Sequence, residues 1–288
     1  MPRDASTRAG YPGDVVARVL DALLARAGAA RRRALRVGLS GLQGSGKSTL
    51  ARQLAAHAAA RGLACEVLSL DDFYLGRAAR RRLARERHPL FATRGVPGTH
   101  DVALLERTLT ALDRARAGAP VCVPRFDKGR DTRLPPSRWR RVVRAPDLVI
   151  LEGWCVGVPA QAESALRRPV NALERDEDRD GRWRQLANAA LAGSYARLWR
   201  RLDALAVLEA PRFEAVARWR AGQERALITR GAVRAMDAAA LRRFVAHFER
   251  LSRHALRSLP RIAGLRIVLD AHRAVRAIDD VPRGKQGG

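Results

Sequence analysis

Between residues 14 and 27 the apolar positions, among them Val15, Val16, Val19, Leu20, Leu23 and Leu24, recur at intervals of three and four, which predicts an amphipathic helix. The period then changes. Ala34 to Ser40 is a short apolar run of the kind a buried strand shows, Ser48 to Arg61 returns to helical spacing and is closed by Gly62, and Cys65 to Leu70 is a second apolar run. Strand, loop, helix and strand in that length predict a right-handed βαβ unit with a parallel sheet. From 76 to 99 the pattern weakens: arginines cluster between Arg77 and Arg87, and Pro89, Gly95, Pro97 and Gly98 break regular structure, so an irregular excursion across the C-terminal ends of the strands is expected.

Further along, Asp101 is placed to cap a helix over 102–115, and Val121 to Val123 starts as a strand before passing into a polar loop that runs to Pro136. Asp147 to Gly153 is the clearest buried strand and carries Glu152 near its end. Residues 169–182 are rich in proline, asparagine and charge, and 174–181 reads as an acidic, solvated loop. A long helix from Trp183 to Leu202, a strand over 204–209, a helix opened by Pro211, a helix from Asp237 to about Arg257 and a last strand at 265–270 follow, with a tail over 275–288 that is frayed from Pro282. No repeat or linker interrupts the chain, so residues 1–288 are expected to form one domain.

The turn between the first strand and its helix reads Gly41-Leu42-Gln43-Gly44-Ser45-Gly46-Lys47-Ser48-Thr49, the phosphate-cradling P-loop pattern in its proper strand-to-helix context. Glycines at 41, 44 and 46 let successive backbone N–H groups turn inward, where a side chain would block a triphosphate. Lys47 then offers a mobile cation to the β- and γ-phosphates, Ser45 and Thr49 complete the cradle, Ser48 offers a hydroxyl to Mg²⁺, and the following helix presents its positive end. The expected fold class is therefore α/β, a three-layer P-loop NTPase fold with a mainly parallel sheet, helices on both faces and a helical lid over 211–230. Residues 1–34 form an N-terminal helix and flank, and 76–100 and 124–140 form excursions beside the site.

Composition changes this picture little. At 288 residues and 47% apolar content the chain is long enough for a large core, and no apolar run approaches the length that crosses a bilayer. The first eight residues lack the apolar region of a secretory signal, and Asp4 and Asp14 argue against a transit peptide, so a cytoplasmic location is expected. Cys65, Cys122 and Cys155 are scattered and odd in number, which suggests neither a disulfide framework nor a metal site. The formal charge of +26 would ordinarily point to nucleic acid or an anionic membrane. Yet lysine occurs only at 47, 128 and 285, and the arginines are spread along the chain without interleaved aromatics. No nucleic-acid or membrane partner is expected, and the excess charge favours small anionic substrates.

Phosphoryl transfer needs a held triphosphate, a metal site, a carboxylate at the attacking hydroxyl and cations over the transferring group. Asp71, at the end of the second strand, can accept the acceptor's proton or act through Mg²⁺; a helix cap is the structural alternative for it and for Asp72. Glu152 ends its strand as a metal-site acid, directly or through water, with Asp270 as its rival. Arg212, Arg218, Arg220 and Arg225 lie on the helix after residue 209, and Arg218 and Arg220, flanking Trp219, are the pair expected to reach the phosphates.

Taken in order, Gly41–Leu50, Ser69–Tyr74, Arg94–Asp101, Pro124–Lys128, Leu151–Cys155, Asn171 with Leu173-Glu174, and Trp219–Glu224 resemble the P-loop kinases of the phosphoribulokinase, uridine kinase and pantothenate kinase group. More narrowly they are similar to plant-type D-glycerate 3-kinases and their kinase-like relatives. The resemblance implies ATP-dependent, Mg²⁺-dependent phosphorylation of a small hydroxylated acceptor, D-glycerate giving 3-phosphoglycerate before others, by a monomer or homodimer. It places Asp71 in the base position and Asp72, Tyr74, Arg94, His100, Asp101, Arg125 and Lys128 in the acceptor site. Arginine and lysine there suit an acceptor carboxylate, and His100 and Asp101 its hydroxyls, although helix capping is an equal reading of Asp101. A sister kinase acting on a nucleoside, pantothenate or a sugar phosphate is the nearest alternative. A nucleic-acid-stimulated NTPase or nucleotide-gated binding protein is the alternative of a different class.

Overall fold

A computed structural model of the chain describes residues 10–26, 33–229 and 237–281, with all side chains in those ranges except those of residue 220 and residues 223–229. In chain order the first half holds α1 (Gly13–Ala25), β1 (Leu35–Gly41), α2 (Lys47–Ala60), β2 (Cys65–Ser69), a 3-10 turn over Leu70–Phe73, α3 (Arg77–Glu86), α4 (Val102–Leu112), β3 (Val121–Val123), β4 (Phe126–Asp127), β5 (Thr132–Arg133), β6 (Arg140–Val142) and β7 (Leu148–Gly153). The second half adds α5 (Glu163–Leu166), α6 (Ala172–Glu177), α7 (Arg182–Ala190), a π-turn over Leu191–Tyr195, α8 (Ala196–Trp199), β8 (Ala204–Glu209), α9 (Glu214–Thr229), α10 (Ala238–Ile262), β9 (Leu265–Leu269) and β10 (Val275–Asp280).

Six strands form the main sheet in the order β10-β9-β8-β1-β7-β2. All neighbours are parallel except β10, which runs antiparallel to β9. β1 and β7 are interior strands buried along their whole length, which is why both read as nearly unbroken apolar runs. Helix α2 packs on β1, β2 and β7, with α1 beside it and reaching β10. The face of β1 that carries Arg36 and Gly38 receives α4, through Arg36 to Asp113, and the chain at Leu202. The mainly parallel α/β sheet with its helices is the architecture expected from the sequence.

Several local expectations are corrected. The excursion after residue 76 is not irregular at its start: Arg77–Glu86 is helical, and Arg80 in it is only 1% exposed. The helix after β8 begins at Glu214, later than Pro211, and the helix capped by Asp101 ends at Leu112. Residues 174–181 are no solvated loop, because Glu174 and Asp178 are 1% and 0% exposed. Asn171 caps α6 by accepting from the Glu174 amide at 3.0 Å, and the Glu174 carboxylate receives Arg250 Nε and Nη2 at 2.7 and 2.6 Å. Asp178 accepts from the Trp183 amide at 2.7 Å and from Arg184 Nη1 at 2.8 Å. The charges are neutralised by arginines on other helices, and removing one partner of such a buried pair costs about 3–5 kcal/mol.

The tail expected from 275 is instead an edge strand as far as Asp280. Asp270 makes it possible by closing the turn, its Oδ1 accepting from His272 and Ala274 amides at 2.8 and 2.9 Å. Residues 282–288 of that tail lie outside the described residues, as do residues 1–9 and 27–32 of the N-terminal flank. At the opposite margin, Arg140 of β6 pairs with Glu66 of β2 and donates from Nη2 to the Val67 carbonyl at 3.3 Å.

Candidate active site

β1 delivers the chain to Gly41, and the loop that follows turns through Gly44 and Gly46 at φ +82° and +92°, the left-handed region that only glycine enters freely. Gly46 caps α2, so the first amides of that helix have no intrahelical partner and face the loop's interior. The space beside Gly46 is taken: a Cβ there would sit 2.7 Å from the Tyr11 hydroxyl. Tyr11 donates that hydroxyl to the Ser45 carbonyl at 2.8 Å, and Gln53 grips the Tyr11 backbone at both its N–H and C=O, at 2.9 and 2.8 Å. The segment before α1 thus buttresses the cradle from behind. Ser45 Oγ and both amide atoms of Gln43 are buried without a protein partner, orphans that an incoming anion and its hydration can satisfy.

Ser48 donates to Glu152 Oε1 at 2.9 Å. Glu152 is 4% exposed, and the register sets it opposite Leu39 of β1 and Ser69 of β2. A hydroxyl and a carboxylate at the mouth of a phosphate loop are hard oxygen donors and fit Mg²⁺. The rival acid Asp270 has its oxygens committed to the β9–β10 turn and to Arg276.

Asp71 lies in the 3-10 turn after β2, and its Oδ2 accepts from Lys128 Nζ at 2.6 Å. Burial pushes the carboxyl up, but the Lys128 and Lys47 charges and the Lys128 hydrogen bond outweigh it and hold the group down at about 2. Asp71 is therefore an anion at every physiological pH. Tyr74, three residues on, is stacked on His100 with ring centroids 4.3 Å apart and packs edge-on against Phe126 at 5.5 Å. Burial first, and then the Asp71 carboxylate, raise the Tyr74 phenol well above its ordinary value. The 71–75 and 98–101 segments are zipped by Leu75 N–H to Thr99 O and Asp101 N–H to Phe73 O, at 2.8 and 2.7 Å. His100 is 5% exposed, and burial lowers its imidazole to about 4, only partly offset by Asp71, so the ring is neutral.

Other residues expected in the acceptor site are brought to the same place but are engaged by the protein. Asp72 accepts from the Phe126 amide at 2.9 Å, and burial raises its carboxyl. Arg94 pairs with Asp131, which also holds Arg80, and lies over the Phe126 ring. Asp101 caps α4 by accepting from the Leu104 amide at 3.0 Å and takes Arg133 on its other oxygen at 3.3 Å. Arg125 is exposed at the surface of the same loop, and its charge reaches Asp72. Arg212, expected on the helix after residue 209, lies before α9, and it and Arg218 of α9 are exposed, while buried Trp219 fastens the helix by donating to the Ala271 carbonyl at 2.8 Å. The side chains of Arg220, Gln223, Glu224 and Arg225 lie outside the described residues.

Sequence reasoning missed Tyr11, Asp131 and Tyr195, each of which works on this site from a distant segment. It also took Lys128 for a substrate contact without its partner Asp71. For Asp131 a faint signal existed, since an aspartate among arginines in a Gly-rich turn invites pairing. Tyr11 and Tyr195 carried none.

The arrangement can hold a polyphosphate at one end of the sheet and present a carboxylate, two ammonium groups and a neutral imidazole beside it. Comparison with known proteins agrees. The model of the methylmalonyl-CoA mutase-associated GTPase MeaB family matches residues 10–73, the stretch that carries α1, the P-loop and Asp71. A Schizosaccharomyces pombe protein described as uncharacterized kinase mug58 is 35% identical over 206 residues, covering 67% of this chain and 71% of that protein. Chloroplastic D-glycerate 3-kinase of Arabidopsis thaliana is 31% identical over 151 residues, 49% of this chain and 33% of that enzyme. The solved structure of D-glycerate 3-kinase from Cryptococcus neoformans var. grubii shares the fold, with a TM-score of 0.76 over 93% of this chain and 99% of that one at 23% identity.

Proposed function

We propose that this chain, which belongs to the family of P-loop kinases that includes the fission yeast kinase, transfers the γ-phosphoryl group of ATP to a hydroxyl of a small hydroxy-acid, with D-glycerate as the leading acceptor. The observation that carries the reading is the Asp71–Lys128 pair beside Lys47, a ready carboxylate whose masking cation is itself suited to an acceptor's carboxylate. Lys128 is 63% exposed. An incoming carboxylate competes with Asp71 for it, and Arg125 adds a second cation at the same loop. As Lys128 is drawn to the substrate, the strongest influence lowering Asp71 weakens, and the carboxylate becomes a better acceptor for the proton of the attacking hydroxyl.

Phosphoryl transfer through a loose transition state asks little covalent chemistry of the protein, so orientation and charge placement supply most of the rate. Lys47 and the amides of Gly41–Ser48 meet the charge on the phosphates. Ser48 and Glu152 would hold Mg²⁺, which supplies charge neutralisation across the phosphate oxygens when bound. Arg218 and Arg220, both in the sequence of α9, are the residues we assign to the transferring group.

ADP release measured across an acceptor panel tests the reading. Turnover with D-glycerate, lost when its carboxylate is replaced by an alcohol, is the expected result. Turnover with a nucleoside or pantothenate and none with hydroxy-acids would transfer the chain to a sister activity, and hydrolysis raised only by DNA or RNA would discard the small-molecule reading.

A further inference from the structure

His100 Nδ1 lies 2.6 Å from the hydroxyl of Tyr195, a residue that is 0% exposed and stands at the end of the π-turn between α7 and α8. The Gly98 amide donates to the same phenolic oxygen at 3.1 Å. Of the two groups hydrogen-bonded to that oxygen, this amide can only donate. The phenolic proton then has one place to go, the lone pair of Nδ1, and an imidazole that accepts at Nδ1 carries its own proton on Nε2. That nitrogen is on the ring edge turned away from Tyr195, is buried, and has no partner in the protein. It is within electrostatic reach of Asp71.

We propose that Tyr195 is a positioning residue that fixes His100 as its Nε2–H tautomer, so that a buried, unpaired donor faces the acceptor oxygen that Asp71 addresses with an acceptor. An attacking hydroxyl can satisfy both at once: its proton goes to the Asp71 carboxylate and its lone pair receives the His100 N–H. An oxygen that only accepts, such as a phosphate or carboxylate oxygen, repels Asp71, and an ammonium finds no acceptor on His100. The pair therefore selects a neutral hydroxyl at this point. The π-turn is the device that delivers Tyr195. One extra residue in the helical turn rotates everything after it by about 100°, which carries a side chain from one face of a helix to another. Gly193 within the turn has open space where a Cβ would be, so the widened turn is not forced by crowding there.

The inference rests on the kinase reading for its function but not for its geometry, and two measurements separate them. Imidazole ¹⁵N shifts of the full-length protein without any acceptor report the tautomer and its hydrogen bond: His100 should be Nε2–H in the wild type, and its Nδ1 resonance should move downfield in Tyr195→Phe, where that nitrogen loses the phenol proton it accepts. Unchanged shifts, or an Nδ1–H wild type, overturn the proposal whatever the protein phosphorylates. ADP release with the fastest acceptor of the panel then reads its consequence. Tyr195→Phe should raise the acceptor KM about tenfold, the effect of a lost hydrogen bond, and leave the ATP KM unchanged. His100→Gln, whose amide nitrogen can reach the Nε2 position and has no tautomer to set, should restore part of the acceptor affinity. Adding Tyr195→Phe to His100→Gln should then do nothing further. If Tyr195→Phe raises both KM values equally in both backgrounds, Tyr195 is a packing residue and the proposal fails.

Discussion

The donor and acceptor halves of the site are made of different material. The donor half is one run of chain, β1 through the first turn of α2, and what it offers is mostly backbone amides, fixed by the glycine geometry of Gly44 and Gly46. The acceptor half is gathered from residues 71–75, 94–101 and 125–133 and offers side chains, many of which are already occupied. Asp131 holds Arg80 and Arg94, Asp72 holds the Phe126 amide, and Asp101 holds α4 and Arg133. Once these are subtracted, Asp71 with exchangeable Lys128, exposed Arg125 and the orphan nitrogen of His100 are left for a ligand. In an arginine-rich chain, the partners a charge already has say more about its use than its place in a motif.

The comparison can be broken at several depths. Asp71→Asn should lower turnover about 10²- to 10⁴-fold, the usual worth of a positioned acid–base group, while nucleotide affinity measured by fluorescent-analogue titration stays near wild type. Full activity in that variant would remove Asp71 from the acceptor half altogether. Lys47→Ala should lower turnover about 10²- to 10³-fold and, unlike Asp71→Asn, weaken nucleotide binding with it, because the lost cation belongs to the phosphate cradle.

A pH series probes the junction. His100 titrates near 4 when folded because it is buried, and near its ordinary 6.5 when unfolded, so the unfolded chain takes the proton first as pH falls. The stability this gives is fully present above about pH 6.5 and fades toward pH 4, by up to about 3 kcal/mol. Denaturant titrations should show this slope in the wild type and a shallower one in His100→Gln; equal slopes would mean that the ring is not desolvated.

Asp131→Ala should cost about 2 kcal/mol by leaving Arg80 buried and unpaired, seen as a lower melting temperature, and should raise the acceptor KM without changing the ATP KM. The smallest effect is expected from Arg125→Ala: roughly a five-fold rise in acceptor KM with unchanged stability, as befits an exposed charge. A larger loss of stability there would show that Arg125 also serves the fold.

Legibility in the sequence followed the same division. The place of the Gly41–Thr49 loop and the meeting of Ser48 with Glu152 at its mouth could be read directly, because they depend on contiguous residues and on strand ends, which periodicity locates. The fold class followed for the same reason, from apolar runs dense enough to mark β1 and β7. What could not be read depended on contacts between distant segments. Glu174 looked solvated because Arg250 lies far along the chain, and the strand at 275–280 was missed because its alternation is weak and its anchor is the Asp270 turn. Tyr11 stands just before a helix and Tyr195 within a helical stretch, and nothing local distinguishes a tyrosine that braces a loop from one that fills a core.

The margins of the sheet carry one more consequence. A sheet of six strands has two outer rims, and each exposes main-chain groups that another copy could pair with. Here β10 presents Arg276, Asp279 and Asp280 along one rim, with Arg276 tied to Asp270 and Asp279 beside Arg266. At the other, Arg140 lies across β2 and occupies the Val67 carbonyl. Fibril-like stacking through either rim would require stripping ionic pairs from the strand before any ladder could form. For a protein handled at high concentration, this predicts that clumping begins with opened molecules and not with native ones.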